Sequence, residues 1–207
     1  DGQLRFERST VTSVGDTRLA KTLQYAKPRL AITWAPNPEN QVRLRFEREV
    51  GQLSFDDFVA QASLNTATGV TVGNPDLEPA RAWVAEAAYE RRFWGRGAIV
   101  VTARHSQVQG VVDRGPVFTP SGVFDRPTNI GDGRRDLVKA DLTLPLDKLG
   151  VKGGLVKSYV VWQRSKVNDP TTGEARRLSG ASPVGWNTPL SQDLPKLNLT
   201  YGAFVEG

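Results

Sequence analysis

The sequence predicts an all-β fold: a segment of an antiparallel transmembrane β-barrel with alternating short turns and long loops, about nine strands of a larger barrel. Three observations predict it. Apolar and polar residues alternate with period two in runs of about ten residues, longer than the five or six usual in soluble sheets. The connections follow the order long, short, long, short. The longest apolar runs are about four residues, as at Ala98–Val101, so no helix of ~20 residues is available to cross a membrane.

The elements can be justified in chain order. In "KPRLAITW" Leu30, Ile32 and Trp34 stand against Arg29, Ala31 and Thr33, and in "QVRLRFER" Val42, Leu44 and Phe46 stand against Arg43, Arg45 and Glu47. Successive side chains of a strand point to opposite faces, so each run gives one apolar and one polar face. Within Gly51–Ala82 a short helix is expected. Ser54 would cap it, Asp57 sits three residues later, and Phe55, Phe58, Val59 and Ala62 follow at helical spacing.

The stretch from Glu78 to Trp94 has the alanine content of a helix, with Pro79 near a first turn. At helical spacing its apolar stripes are broken by Glu90 and Arg91. At strand spacing Trp83, Ala85, Ala87 and Tyr89 form an unbroken face, so a strand is expected. Its aromatics Trp83 and Tyr89 would lie ~20 Å apart, close to the height of the apolar band between a barrel's aromatic girdles.

Downstream, Ile99, Val101 and Ala103 alternate with Val100, Thr102 and Arg104. Val138, Ala140, Leu142, Leu144 and Leu146 alternate with Lys139, Asp141, Thr143 and Pro145. "LVKSYVVWQRS" is also strand-like, but its outward pair is open between Tyr159/Val161 and Val160/Trp162. Leu197, Leu199, Tyr201, Ala203 and Val205 mark the last strand. Short turns are expected at 36–40, 94–97, 147–150 and 192–195, and long polar connections at 13–23, 51–82, 107–135 and 167–183. Every second connection of a membrane barrel faces the same side, which explains the alternation.

Composition excludes several chemistries. There are no cysteines and one histidine, which rules out thiolate zinc sites, iron–sulfur ligation, disulfides and multi-histidine metal centres. The net charge of +5 is interleaved with acids and forms no basic tail, so no nucleic-acid partner is expected. No nucleophile-elbow, Walker or zincin motif occurs; neither catalysis nor a cofactor or metal is expected. His105 reads as an interfacial or loop histidine. Asp56 and Asp57 read as capping, solvated residues. "NIGDGRRD", Asn129 to Asp136, lacks the periodic ligands of a calcium loop and reads as a turn. Asn198 heads a glycosylation sequon placed mid-strand.

"GNPDLEPARAW", Gly73 to Trp83, resembles the motif that closes a long extracellular loop in TonB-dependent outer-membrane receptors, with Ala80 where that motif usually carries Glu. "YAKPRLAITWAP" and "QVRLRFEREV" look like the preceding hairpin and "LSFDDF" like the start of the loop. "RPTNIGDGRRDLVKADLTLPL" resembles the downstream strand led by Asn-Ile-Gly, and "VNDPTTGEARRLSG" the C-terminal half of such barrels. The resemblance covers nearly the whole chain. It implies a bacterial outer-membrane receptor whose 22-stranded barrel encloses a plug. Energised by TonB, it would import a scarce substrate such as a ferric siderophore, cobalamin or carbohydrate. Residues 1–207 are expected to be an internal or C-terminal barrel segment, with the plug domain and TonB box outside it.

On this reading Arg43, Arg45, Glu47, Glu86, Glu90 and Arg104 face the lumen, because a charge turned to hydrocarbon costs ~2–4 kcal/mol near the midplane. They would contact substrate or pair with one another or with the plug. Arginines suit anionic ligands through forked hydrogen bonds. Asp113, Arg114, Arg134 and Arg135 are the loop candidates. Two rivals remain: a soluble carbohydrate-binding sandwich with Trp83, Tyr89, Leu142, Leu144 and Leu199 in its core, and a passive barrel wall without ligand contacts.

Overall fold

The computed structural model describes residues 1–13, 19–53, 62–65, 69–72, 74, 76–119 and 122–207. Its strands are β1 (Gly2–Ser13), β2 (Leu19–Asn37), β3 (Asn40–Val50), β4 (Ala62–Asn65), β5 (Gly69–Val72), β6 (Arg81–Phe93), β7 (Gly97–Gln109), β8 (Val112–Thr119) and β9 (Gly122–Asn129). Then follow β10 (Gly133–Pro145), β11 (Gly154–Asn168), β12 (Ala175–Arg176), β13 (Val184–Leu194) and β14 (Leu199–Glu206). Nine of them form one antiparallel sheet in the order β1-β2-β3-β6-β7-β10-β11-β13-β14, with β12 added beside β11. The stretch after Pro79 is therefore a strand, β6, despite its alanines.

Short turns at one end join β2 to β3, β6 to β7, β10 to β11 and β13 to β14. The turn between β6 and β7 takes Trp94 and Gly95 through positive φ (51° and 76°), the left-handed geometry that matches strand twist in a hairpin. Three long connections at the other end carry structure of their own. β4 and β5 pair within residues 51–80, β8 and β9 pair within 110–132, and β12 lies within 169–183.

Four expectations need correction. Of the polar stretch 13–23, Ser13 and residues 19–23 belong to the ladder, because β1 pairs with β2 up to Ser13 and Leu19, and residues 14–18 lie outside the described ones; period-two apolar content fades at those ends while backbone pairing holds. Ala62, expected at the end of a helix, opens β4; the rest of that helix, from Ser54 to Val59 and including Asp56 and Asp57, lies outside the described residues. β13 runs through 192–194, expected as a turn, and the chain reverses at the 3-10 turn Pro195–Leu197. Asn198 is the left-handed cap of that turn (φ 47°), where a strand was expected.

Register divides the sheet into two faces. One row runs Leu44–Ala87–Ala103–Val138–Trp162, and the next runs Val42–Tyr89–Val101–Ala140–Val160–Trp186. Val160 and Trp162 thus join the apolar face, while Tyr159 and Val161 belong to the other. Most large side chains of the apolar face are exposed, Trp34 at 62% among them. The buried strand residues Val84, Ala88, Ser106, Ser165 and Val167 all belong to the charged face. Among the described residues no second sheet covers the apolar face. Tyr89 and Leu199, core residues of the sandwich rival, are 41% and 47% exposed.

Pro189 leaves a local trace. The β11–β13 ladder lapses opposite Pro189 and Thr188, since proline has no N–H to donate. There the hydroxyls of Ser158 and Thr188 pair at 2.8 Å, satisfying two polar groups on the apolar face.

Candidate functional site

The charged face carries seven of the ten candidate residues, and strand register brings six of them together. Arg45 of β3 lies opposite Glu86 of β6, which lies opposite Arg104 of β7. Arg45 bonds Glu86 at 2.7 Å and Glu47 at 2.9 Å, and Arg43 bonds Glu90 at 2.9 Å. Arg104 turns instead to Glu49, at 2.6 Å. Arg29 lies 3.4 Å from Glu47 and Arg92 is 2.7 Å from Glu90. Five arginines face four glutamates, so the network nearly neutralises itself. Arg29, Glu49 and Arg92 are members that the sequence reading missed. The parity of the alternation already put them on this face.

The other four candidates separate. Asp113 belongs to a clasp between the β8–β9 hairpin and the segment after β11. The Arg176 guanidinium donates to Asp113 at 3.0 Å and to Asp169 at 2.8 Å, and the Ser179 hydroxyl donates to Asp113 at 2.8 Å. Burial pushes the Asp113 carboxyl up. The Ser179 hydroxyl, the Arg114 N–H and Arg176 outweigh burial and hold it below the usual carboxylate range. Asp113 is thus occupied in tying loops together. Arg114 is exposed and contributes its backbone N–H to Asp113 at 2.8 Å.

Arg134 is a correction. It sits in β10 opposite Gln107 and Lys166, on the apolar-face parity, because register places it two residues from Asp136 and four from Val138. Neighbouring Arg135 takes the charged face. Its guanidinium bonds the amide oxygen of Gln163, with the Nε contact at 2.9 Å. No carboxylate pairs with it among the described residues. Arg135 lines two adjoining cavities. One, of about 270 Å³, also involves Glu49, Arg104, Ser106 and Leu137; the other, of about 330 Å³, reaches Asp113, Leu178 and Ser179. The arrangement is an opening at the long-loop end with one unneutralised arginine fork.

Two sequence motifs meet above this opening. Asn74 is 4% exposed; its side chain donates to the Pro127 carbonyl at 3.0 Å and accepts from the Asp76 N–H at 3.1 Å. Leu77 is fully buried. Asn129 accepts from the Glu78 N–H at 2.9 Å and donates to the carbonyls of Glu78 (2.8 Å) and Gly110 (2.9 Å). The "GNPDLEP" stretch and the "TNIG" stretch therefore form one polar clasp; Gly73 and Pro75 lie outside the described residues. In "NIGDGRRD" Asp132 accepts the Gly110 N–H at 3.0 Å. His105 occupies a strand position on the apolar face, its Nδ1 paired with Asp136.

The model of the family described as TonB dependent receptor-like, beta-barrel, matches residues 1–205. No curated protein matches the chain. Solved structures do. The FrpB iron transporter from Neisseria meningitidis is 14% identical with a TM-score of 0.61, over 97% of this chain and 28% of that one. The siderophore receptor PirA from Pseudomonas aeruginosa is 11% identical with a TM-score of 0.63, over 99% of this chain and 37% of that one. The Serratia marcescens hemophore receptor HasR, solved with its hemophore HasA and heme, is 11% identical with a TM-score of 0.65, over 99% and 39%. The chain spans well under half the length of each. These likenesses establish the fold.

Proposed function

The chain belongs to the family of TonB-dependent receptor-like β-barrels, and from that premise we propose that it is barrel wall from a bacterial outer-membrane receptor importing a scarce anionic substrate, a ferric siderophore first among the candidates. Its role is transport and not catalysis. The partners implied are the plug domain inside the barrel, TonB beneath it and membrane lipid around it. The supporting likenesses are to proteins described as an iron transporter, a siderophore receptor and a hemophore receptor.

The observation that carries the substrate class is Arg135. The other arginines of the charged face named above are paired with glutamates, whereas Arg135 faces two adjoining cavities with only an amide for a partner. A guanidinium so placed matches a carboxylate or an iron-chelating oxyanion. The self-neutralised network below it suits a wall that meets a plug. In lipid the sheet edges β1 and β14 need partner strands, which supports its being part of a larger barrel.

The test is Arg135→Ala in the receptor that contains this chain, with binding of anionic and uncharged iron chelates measured side by side. Loss of one charge-assisted fork, ~1.5–3 kcal/mol, weakens the anionic chelate at least about tenfold and spares the uncharged one. Equal affinities before and after the substitution would remove Arg135 from the substrate path and favour the passive-wall reading.

A further inference from the structure

Arg135 differs from its neighbours in what holds it. Arg43, Arg45 and Arg104 meet glutamates, whereas Arg135 donates from Nε at 2.9 Å, and from Nη2 as well, to the amide oxygen of Gln163. The carboxylates that line the adjoining cavities are engaged by other arginines, Glu49 by Arg104 at 2.6 Å and Asp113 by Arg176 at 3.0 Å. An amide oxygen accepts from a guanidinium as a carboxylate oxygen does, but it brings no net charge to cancel. Gln163 therefore holds the Arg135 fork and leaves its charge in place.

Gln163 is itself fixed from the other side. It sits in β11 opposite Leu137, half-buried and two residues from Ser165, which faces Arg135 in register. Its backbone N–H donates to the Pro183 carbonyl at 2.8 Å, and its amide nitrogen donates to the Ser182 carbonyl at 2.7 Å. With the nitrogen against a carbonyl, the oxygen is the atom turned to the guanidinium, and flipping the amide would lose both contacts. The buried Ser165 hydroxyl accepts the Leu178 N–H at 3.1 Å. Segment 178–183 thus hangs on β11 beside the fork, and Leu178, Ser179, Gly180 and Ala181 wall the larger cavity. Gln163 takes Nε and one N–H of Nη2, and Nη1 has no hydrogen-bond partner among the described residues. The Nη1–Nη2 end of the fork is the part left for a bidentate oxyanion.

We infer that Gln163 sets the charge preference of this opening: it is a positioning residue that aims Arg135 and, being an amide, leaves it selective for anions. The inference rests on Arg135 as the substrate contact proposed above. Gln163→Glu would extend to Arg135 the pairing seen on the rest of the face. A ligand oxyanion would then compete with a carboxylate already on the fork.

The full receptor, purified in detergent, is titrated with ferric citrate and with ferric enterobactin, both anionic, from low to high salt, and binding is read by quenching of tryptophan fluorescence. Gln163→Glu is compared with Gln163→Met, which also loses the Ser182 bond but adds no charge, and each is repeated together with Arg135→Ala. Gln3→Glu is the control. It makes the same change in the row Gln3–Arg29–Glu47–Val84–Ser106–Arg135, five strands and ~24 Å from Arg135, beyond the screening length. A gel-shift assay of heat-modifiable folding is run on every variant.

The expected result is that Gln163→Glu weakens the chelates at least about tenfold, as loss of a charge-assisted contact does, and flattens the salt dependence as Arg135→Ala does. Gln163→Met weakens them less and keeps the salt dependence, and Gln3→Glu changes neither. With Arg135→Ala present, neither substitution at position 163 has a further effect, so Gln163→Met carries the test even where Gln163→Glu does not fold. Equal losses and equal salt dependence for the two variants, or losses that persist without Arg135, reduce Gln163 to a strap for segment 178–183 and overturn the inference. So does an equal loss from Gln3→Glu. Where Arg135→Ala weakens the chelates and Gln163→Glu does not, the inference alone falls. Where Arg135→Ala has no effect, or the wild type binds neither chelate, the substrate reading falls and takes the inference with it.

Discussion

The two faces of this sheet are made by the same strands and differ by one residue of phase, yet they are stabilised in opposite ways. On the charged face Arg45, Glu86, Arg43, Glu90, Arg104 and Glu49 find one another across β3, β6 and β7 at 2.6–2.9 Å. On the apolar face Leu44, Ala87, Val101 and Val138 find no partner layer among the described residues. A water-soluble sheet hides its apolar side; here the side that gathers buried residues is the charged one. The inversion is what the proposed barrel wall requires, with its apolar face to hydrocarbon and its charged face inward, and sequence phase alone sets it.

The strongest way to break the comparison is to put one charge on each face at the same height. Leu144 and Thr143 are neighbours in β10 on opposite faces. Leu144→Arg should cost ~2–4 kcal/mol in lipid and abolish assembly, whereas Thr143→Arg should leave the receptor in the outer membrane. Fractionation with a heat-modifiability gel reads both, and equal fates for the two variants would refute the assignment of faces.

A smaller effect sharpens the charged face. Glu86→Ala deprives Arg45 of its 2.7 Å partner and leaves it Glu47 alone. The expected loss is ~1–2 kcal/mol, seen as a barrel that unfolds several degrees lower, and Arg45→Ala/Glu86→Ala should recover part of it. Additive single and double losses would mean that the pair is not coupled.

The smallest effect concerns the loops, where acid should loosen the clasp on Arg176. The folded Asp113 carboxyl titrates below its ordinary value of 3.8. Its contribution is therefore complete above the unfolded value and is lost as pH falls through the folded one. Hydrogen exchange around 112–119 and 175–179 should accelerate below about pH 4, and Asp113→Asn should show that faster exchange already at pH 7. Protection unchanged by the substitution would assign the loop order to other contacts.

Period-two alternation and the spacing of turns determined, from the sequence alone, the nine-strand antiparallel plan, the strand at 81–93 and the single shared face of Arg43, Arg45, Glu47, Glu86, Glu90 and Arg104. These are local properties, since a strand's phase is written in its own residues. What was not legible depended on which strand lay beside which. The phase of "SYVVWQ" was ambiguous by itself, and the register of β11 with β10 and β13 chose Val160 and Trp162. Arg134 and Arg135 look equivalent in the sequence, but one-residue alternation at the start of β10 sends one to the apolar face and the other to the opening. The clasp joining Asn74, Glu78, Gly110, Pro127 and Asn129 spans more than fifty residues of chain. Tertiary structure alone decided it, because the backbone groups left unpaired where loops leave the sheet must find partners wherever the fold brings them.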